Sequence, residues 1–136
     1  MRPIRAKRGE RGSIAAFVVL FSFCLMALAG LVTEGGAVMS AREQAMTEAE
    51  QAARVGAEQA SVLGLHNGRI LASGSAPTAA AEFVMALYGH RGTATRIGGE
   101  VTATVSPFSI RTPLLGLIGL PSIRVSARAS AEAVAR

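Results

Sequence analysis

The sequence predicts an α+β chain: one transmembrane helix continuing into a long extracytoplasmic helix, then a short helix and a small three-stranded antiparallel sheet. Three observations lead there. Residues 13–33 carry no charge. Residues 37–65 contain no Pro, are rich in Ala, Glu, Gln and Arg, and place small or apolar residues in steps of three and four, the helical period. The last third changes to strict alternation of apolar and polar residues, the period of a half-buried strand. The predicted boundaries are a basic cytoplasmic N-terminus over 1–12, the span over 13–33, the Ala-rich helix over 34–65 and a small α+β module over 66–136.

The first element, SIAAFVVLFSFCLMALAGLVT, would reach roughly 32 Å as a helix, against a hydrocarbon core of ~30 Å. Arg2, Arg5, Lys7, Arg8 and Arg11 precede it, whereas residues 34–58 hold five Glu against Arg42 and Arg54. That asymmetry predicts a cytoplasmic N-terminus and an extracytoplasmic remainder. A cleaved signal peptide, with Ala27-Leu28-Ala29 as its A-x-A site, is the competing reading. Apolar character continues past that site through Gly30, Leu31 and Val32, which favours a retained anchor. Cys24 lies inside the run and reads as a small apolar residue facing lipid or a neighbouring helix. Glu34 stands at the outer boundary, where an acid is ordinarily solvated; pairing with a partner's Arg or with a helix N-terminus are the alternatives.

The second element carries a stripe of Val38, Ala41, Ala45, Ala49, Ala52, Gly56, Ala60 and Leu63. Such small residues bury little area but let another backbone come close. Ala41, Ala45, Ala49, Ala52, Gly56 and Ala60 are therefore the candidate packing face, either against the chain's own sheet or against another subunit. Gly35-Gly36 reads as a soft spot in a continuous helix, each Gly costing about 1 kcal/mol relative to Ala. His66-Asn67-Gly68 is the expected stop.

Thr78 is the expected cap of the next helix, with Phe83, Val84, Leu87 and Tyr88 as its apolar side and Gly89 closing it. Thr93–Ile97 and Glu100–Val105 flank Gly98-Gly99, a two-residue hairpin signal. Ile123, Val125, Ala127, Ala129, Ala131 and Ala133 alternate with polar residues and give the third strand. Between strands two and three, Pro113-LLGLIGL-Pro121 is far too short to span a bilayer. It reads as a short buried helix or turn capping the sheet, or else as a patch that touches lipid or a partner.

Composition excludes much chemistry. Residues 1–12 hold a net +4 of the chain's +5, so the remaining module is close to neutral, and it has no Trp and one Tyr. That is a poor nucleic-acid binder. Asp is absent, Cys24 is the single cysteine, and His66 and His90, 24 residues apart, are the only histidines. Neither a nucleophile–base pair nor a metal-ligand spacing can be assembled. No catalytic residue, cofactor or metal is expected.

The stretch from Glu10 to Ala60, with Arg-Gly-Ser before the span, Glu34-Gly35-Gly36 at its outer end and an AEQAARVGA run in the following helix, resembles the start of Flp pilus-assembly TadE/TadG-like proteins. The VTATV strand, the LLGLIG segment and the closing Ala/Ser/Arg/Val strand resemble their tails. The resemblance implies a bacterial, pilin-like, membrane-anchored structural component of a tight-adherence pilus or related secretion apparatus. Its partners would be the lipid bilayer and other assembly proteins, with homo- or hetero-oligomers formed through the Ala-rich helix. A tethered extracytoplasmic binding module unrelated to pili is the alternative. Some members are cut by a prepilin peptidase after a Gly, with Glu fifth in the mature chain. Gly12-Ser13 is the candidate bond here, but the fifth residue is then Phe17, and the chain is expected to stay uncut.

Overall fold

A computed structural model describes the backbone of residues 10–66 and 74–133, with side chains for 12–62 and 74–133. The elements are α1 (Glu10–His66), α2 (Ala76–Leu87), β1 (Gly92–Ile97), β2 (Glu100–Arg111), α3 (Pro113–Gly116) and β3 (Ser122–Glu132).

The 57 residues of α1 form one continuous helix, roughly 85 Å long at 1.5 Å per residue. Gly35 and Gly36 lie within it without interrupting it. Strong helix formers stand on both sides, and the penalty for two glycines is small against the many turns that propagate through them. The two halves of the rod live in different surroundings. The most apolar 18-residue window, of mean hydropathy 2.6, is only 6% buried. The second half is the spine of a small head, with Ala45, Ala49, Ala52 and Ala60 wholly buried.

The head is an antiparallel sheet of order β1-β2-β3 with α1 and α2 on one face. Ile97 pairs with Glu100 across Gly98-Gly99, and Gly98 sits at φ +62°, the conformation that a tight hairpin reserves for glycine at its first central position. Val101, Ala103 and Val105 of β2 and Val125 and Ala127 of β3 point at the helices, while the intervening residues point outward. Register slips between Val105 and Phe108, around Pro107, which has no N–H to give the ladder. The core closes with Ala81 and Met85 of α2 against Ala45, Ala49, Ala52 and Ala53 of α1. Small helix residues facing β-branched strand residues let the layers sit close.

Three expectations are corrected. Helix α2 starts at Ala76 with Pro77 in its first turn, so Thr78 is already helical and its hydroxyl donates back to the Ser75 carbonyl at 2.8 Å. A proline, with φ preset and no N–H to satisfy, starts the helix earlier than the threonine could. The buried lane of α2 is Pro77, Ala81 and Met85; Phe83, Leu87 and Tyr88 are exposed and only Val84 of the expected four is half-buried. The Pro113–Pro121 segment does form a short helix and turn, but Leu115 alone among its leucines is buried, and the segment leans on α1 rather than under the sheet.

Candidate membrane-proximal interface

Glu34 is the first charged residue after the apolar run, and it is 9% exposed. The residues that cover it come from α3, 80 residues further along the chain. Pro113 begins α3 and contributes no N–H, so the first free donors of that turn belong to Leu114 and Leu115. Both donate to Glu34: Leu114 N–H to Oε1 at 2.6 Å and Leu115 N–H to Oε2 at 2.8 Å. A carboxylate accepting two backbone N–H groups in this way forms strong hydrogen bonds and satisfies donors that the first turn of α3 leaves open.

The neck of this segment is tied by Thr112, wholly buried, whose hydroxyl donates to the Leu120 carbonyl at 2.6 Å and whose N–H donates to the Pro121 carbonyl at 3.0 Å. One turn below Glu34, Gly30 gives α3 its seat. A side chain beginning there would meet Leu114 Cβ at 2.9 Å, closer than van der Waals contact permits. Further along the rod, Leu114, Leu117 and Ile118 share a cleft with Phe23, Met26 and Ala27. The tip of the head therefore lies beside the outer half of the apolar run.

A second polar contact fastens α1 to the head. His90 Nδ1 lies 2.8 Å from Glu48 Oε2, and the imidazole stacks on Phe108 with centroids 4.3 Å apart. Nearby, the Tyr88 hydroxyl donates to Gln51 Oε1, and the Ala94 N–H donates to Glu82 Oε1 at 3.2 Å. These contacts join α1, α2, β1 and β2. With one ring nitrogen held by a carboxylate and its face against a phenyl ring, His90 serves as a clasp between elements. Among the described residues, no three His, Cys, Asp or Glu side chains gather in a metal-holding group.

The residues singled out by sequence fall as follows. Gly12 and Ser13 are exposed in the first turns of α1. Ala45, Ala49, Ala52, Gly56 and Ala60 are buried and Ala41 half-buried. A side chain at Gly56 would meet Val101 at 2.8 Å and the Pro77 carbonyl at 2.9 Å, so this stripe faces the chain's own sheet and α2. Cys24 is exposed. The side chains of Leu63 and His66, and Asn67-Gly68, lie outside the described residues. Glu34, for which solvation was the leading expectation, instead takes the alternative of pairing with a helix start, that of α3. Sequence reasoning passed over Glu48, Ala53, Ala57 and Thr112, all buried. Ala53 and Ala57 widen the stripe by one step around the helix, and Glu48 breaks its lane with a charge, which was the one available sign of a partner there. Thr112 gave none.

Residues 12–60 match the family model "Putative Flp pilus-assembly TadE/G-like". The match covers the exposed apolar half of α1 and the buried stripe through Ala60. No curated protein and no solved structure matches the chain.

Proposed function

We propose, from that match to the Tad pilus-assembly family, that the chain is a non-enzymatic, membrane-anchored structural component of a Tad (Flp) pilus or a related secretion apparatus. Its role is minor-pilin-like: the apolar half of α1 seats in the membrane, and the head, carried on the same helix, stands outside the cytoplasm. The observation that carries the reading is the continuity of α1. One uninterrupted helix is bare and apolar over its first half and forms the spine of a sheet-covered head over its second. A helix exposing Phe17, Leu20, Phe21, Leu28 and Leu31 cannot stand in water without a cover of lipid or of other helices. No hinge separates span from head, so lateral packing of the rod in the membrane fixes where the head is presented.

Photo-crosslinking in the native host tests this. A crosslinking residue at Leu20 or Val32 should give adducts with other membrane components of the pilus machinery, and deletion of the gene should abolish or thin the pili. Normal pili and crosslinks to lipid alone would favour the tethered binding module instead. Intact mass of the membrane-extracted protein should show an unprocessed N-terminus, and a chain beginning at Ser13 would count against it.

A further inference from the structure

We propose that the Leu114–Leu120 tip is a second membrane contact: it inserts into the hydrocarbon beside α1 and holds the head down on the bilayer. The inference rests on α1 being the membrane anchor, and three further observations carry it.

The first is position. Leu114, Leu117 and Ile118 pack on Phe23, Met26, Ala27 and Gly30, so tip and outer half of the apolar run occupy one layer. If the membrane ended below that layer, only residues 13–22 would remain to span it. Ten residues reach roughly 15 Å, about half of the hydrocarbon thickness. Keeping a full span thus places the tip in lipid as well.

The second is the surface the tip presents. Leu117 is 60%, Ile118 50% and Leu120 51% exposed, and no charged residue lies between Thr112 and Pro121. Arg111 and Arg124 are exposed on adjoining strands where the sheet meets the tip, at the level where anionic headgroups would attract them.

The third is backbone chemistry. Hydrocarbon offers no hydrogen bonds, so an irregular segment entering it must satisfy its own donors. Each N–H of the segment is matched. Thr112 donates to Pro121, Gly116 to Thr112, Leu117 to Leu114, Ile118 and Leu120 to Leu115, and Gly119 to Gly116. Leu114 and Leu115 donate to Glu34, and the two ends are prolines. A water-facing loop has no need of such closure.

The test uses the full-length chain in vesicles of phosphatidylethanolamine and phosphatidylglycerol, with a polarity-sensitive fluorophore on one cysteine at a time. The native Cys24 reports the anchor. Ile118→Cys or, as a second reporter, Leu117→Cys reports the tip, and Ser126→Cys on the outer sheet face reports water, each in a Cys24→Ala background. The expected result is blue-shifted emission and strong quenching by spin-labelled lipid at Cys24 and at the tip, with aqueous iodide quenching only at Ser126→Cys. Tip fluorophores that behave like Ser126→Cys while Cys24 is lipid-quenched would overturn the inference and leave the anchor standing. Blue-shifted tip fluorophores reached by neither quencher would mean that protein covers the tip, which also overturns it. Loss of lipid quenching at Cys24 itself would remove the anchor and, with it, both readings.

Discussion

Glu34 and Leu114, 80 residues apart in the chain, meet at 2.6 Å, and the second carboxylate oxygen takes the neighbouring Leu115 N–H at 2.8 Å. The acid that immediately follows the apolar run thereby fixes the tip of the head to the rod. The pairing also decides what the tip can do. Two N–H groups that would otherwise face the cleft beside α1 are closed, so the segment shows its surroundings little but leucine and isoleucine.

Removing that carboxylate should free the tip before it unfolds the head. Glu34→Ala deprives two backbone donors of charge-assisted bonds, and its expected cost is about 2–4 kcal/mol. Amide hydrogen exchange in detergent micelles checks this: Leu114 and Leu115 should exchange far faster, while Val101 and Val105 in the core keep their protection. Glu34→Gln retains one acceptor oxygen and should fall between the two. Equal loss of protection across the whole sheet would mean that Glu34 supports the fold rather than the tip.

The glycines of α1 should respond in opposite directions. Nothing lies within 4 Å of a side chain added at Gly35 or Gly36, so Gly35→Ala is expected to stabilise the helix by about 0.5–1 kcal/mol. At Gly56 the added methyl would strike Val101 and the Pro77 carbonyl, and backbone cannot rotate away as a side chain does. Overpacking of that kind costs about 1–3 kcal/mol and outweighs the gain in propensity. Urea unfolding of the two variants beside wild type is the measurement.

Periodicity made much of this legible, and its failures have physical causes. The uncharged run from Ser13 to Thr33, the alternation of Val101, Ala103 and Val105, and the Gly98-Gly99 turn are local signals, and a helix, a strand and a tight hairpin are found at those places. Strand β2 nevertheless runs on to Arg111, well past the Val105 where the sequence reading ended it, because pairing with β3 resumes beyond the slip at Pro107. The face of α2 was misread because the helix is apolar nearly all round. With no polar side to exclude, packing decided, and the small Pro77 and Ala81 went inward against Gly56 while Phe83 and Leu87 were left outside. Glu34 was legible only as one of several readings: a solvated acid was the leading one, and pairing with a helix N-terminus, which the structure has, was an alternative. Its partners are the backbone N–H groups in the first turn of α3, which have no acceptor within that turn, and no pattern in residues 30–40 announces them.

The clasp between Glu48 and His90 should be measurable as a coupling. Glu48 is buried on the sheet-facing side of α1, and His90 also stacks on Phe108, so His90→Ala loses a hydrogen bond and a ring contact together. The expected cost is about 1–3 kcal/mol. A double-mutant cycle with Glu48→Gln should return a coupling of roughly 0.5–2 kcal/mol, as for groups in direct contact. If the structural role is the whole role, His90→Phe, which restores stacking, recovers part of the stability and leaves pilus assembly unchanged in the host.

The Ala stripe gives the sharpest test of what packs on α1. Ala49 and Ala52 are wholly buried within one chain, among Met85, Val101 and Val105. Ala49→Leu should therefore destabilise the isolated monomer by about 1–3 kcal/mol, read as a lower urea midpoint in dilute micelles where no second chain is present. Were the stripe an intermolecular seam, the monomer would unfold as wild type does, and only crosslinked oligomers would disappear. A substitution on the outer side of the same helix, such as Arg54→Ala, changes no buried volume and should leave the midpoint unmoved. Any effect of that variant on assembly would then locate a contact between subunits on the face of α1 that the head leaves open.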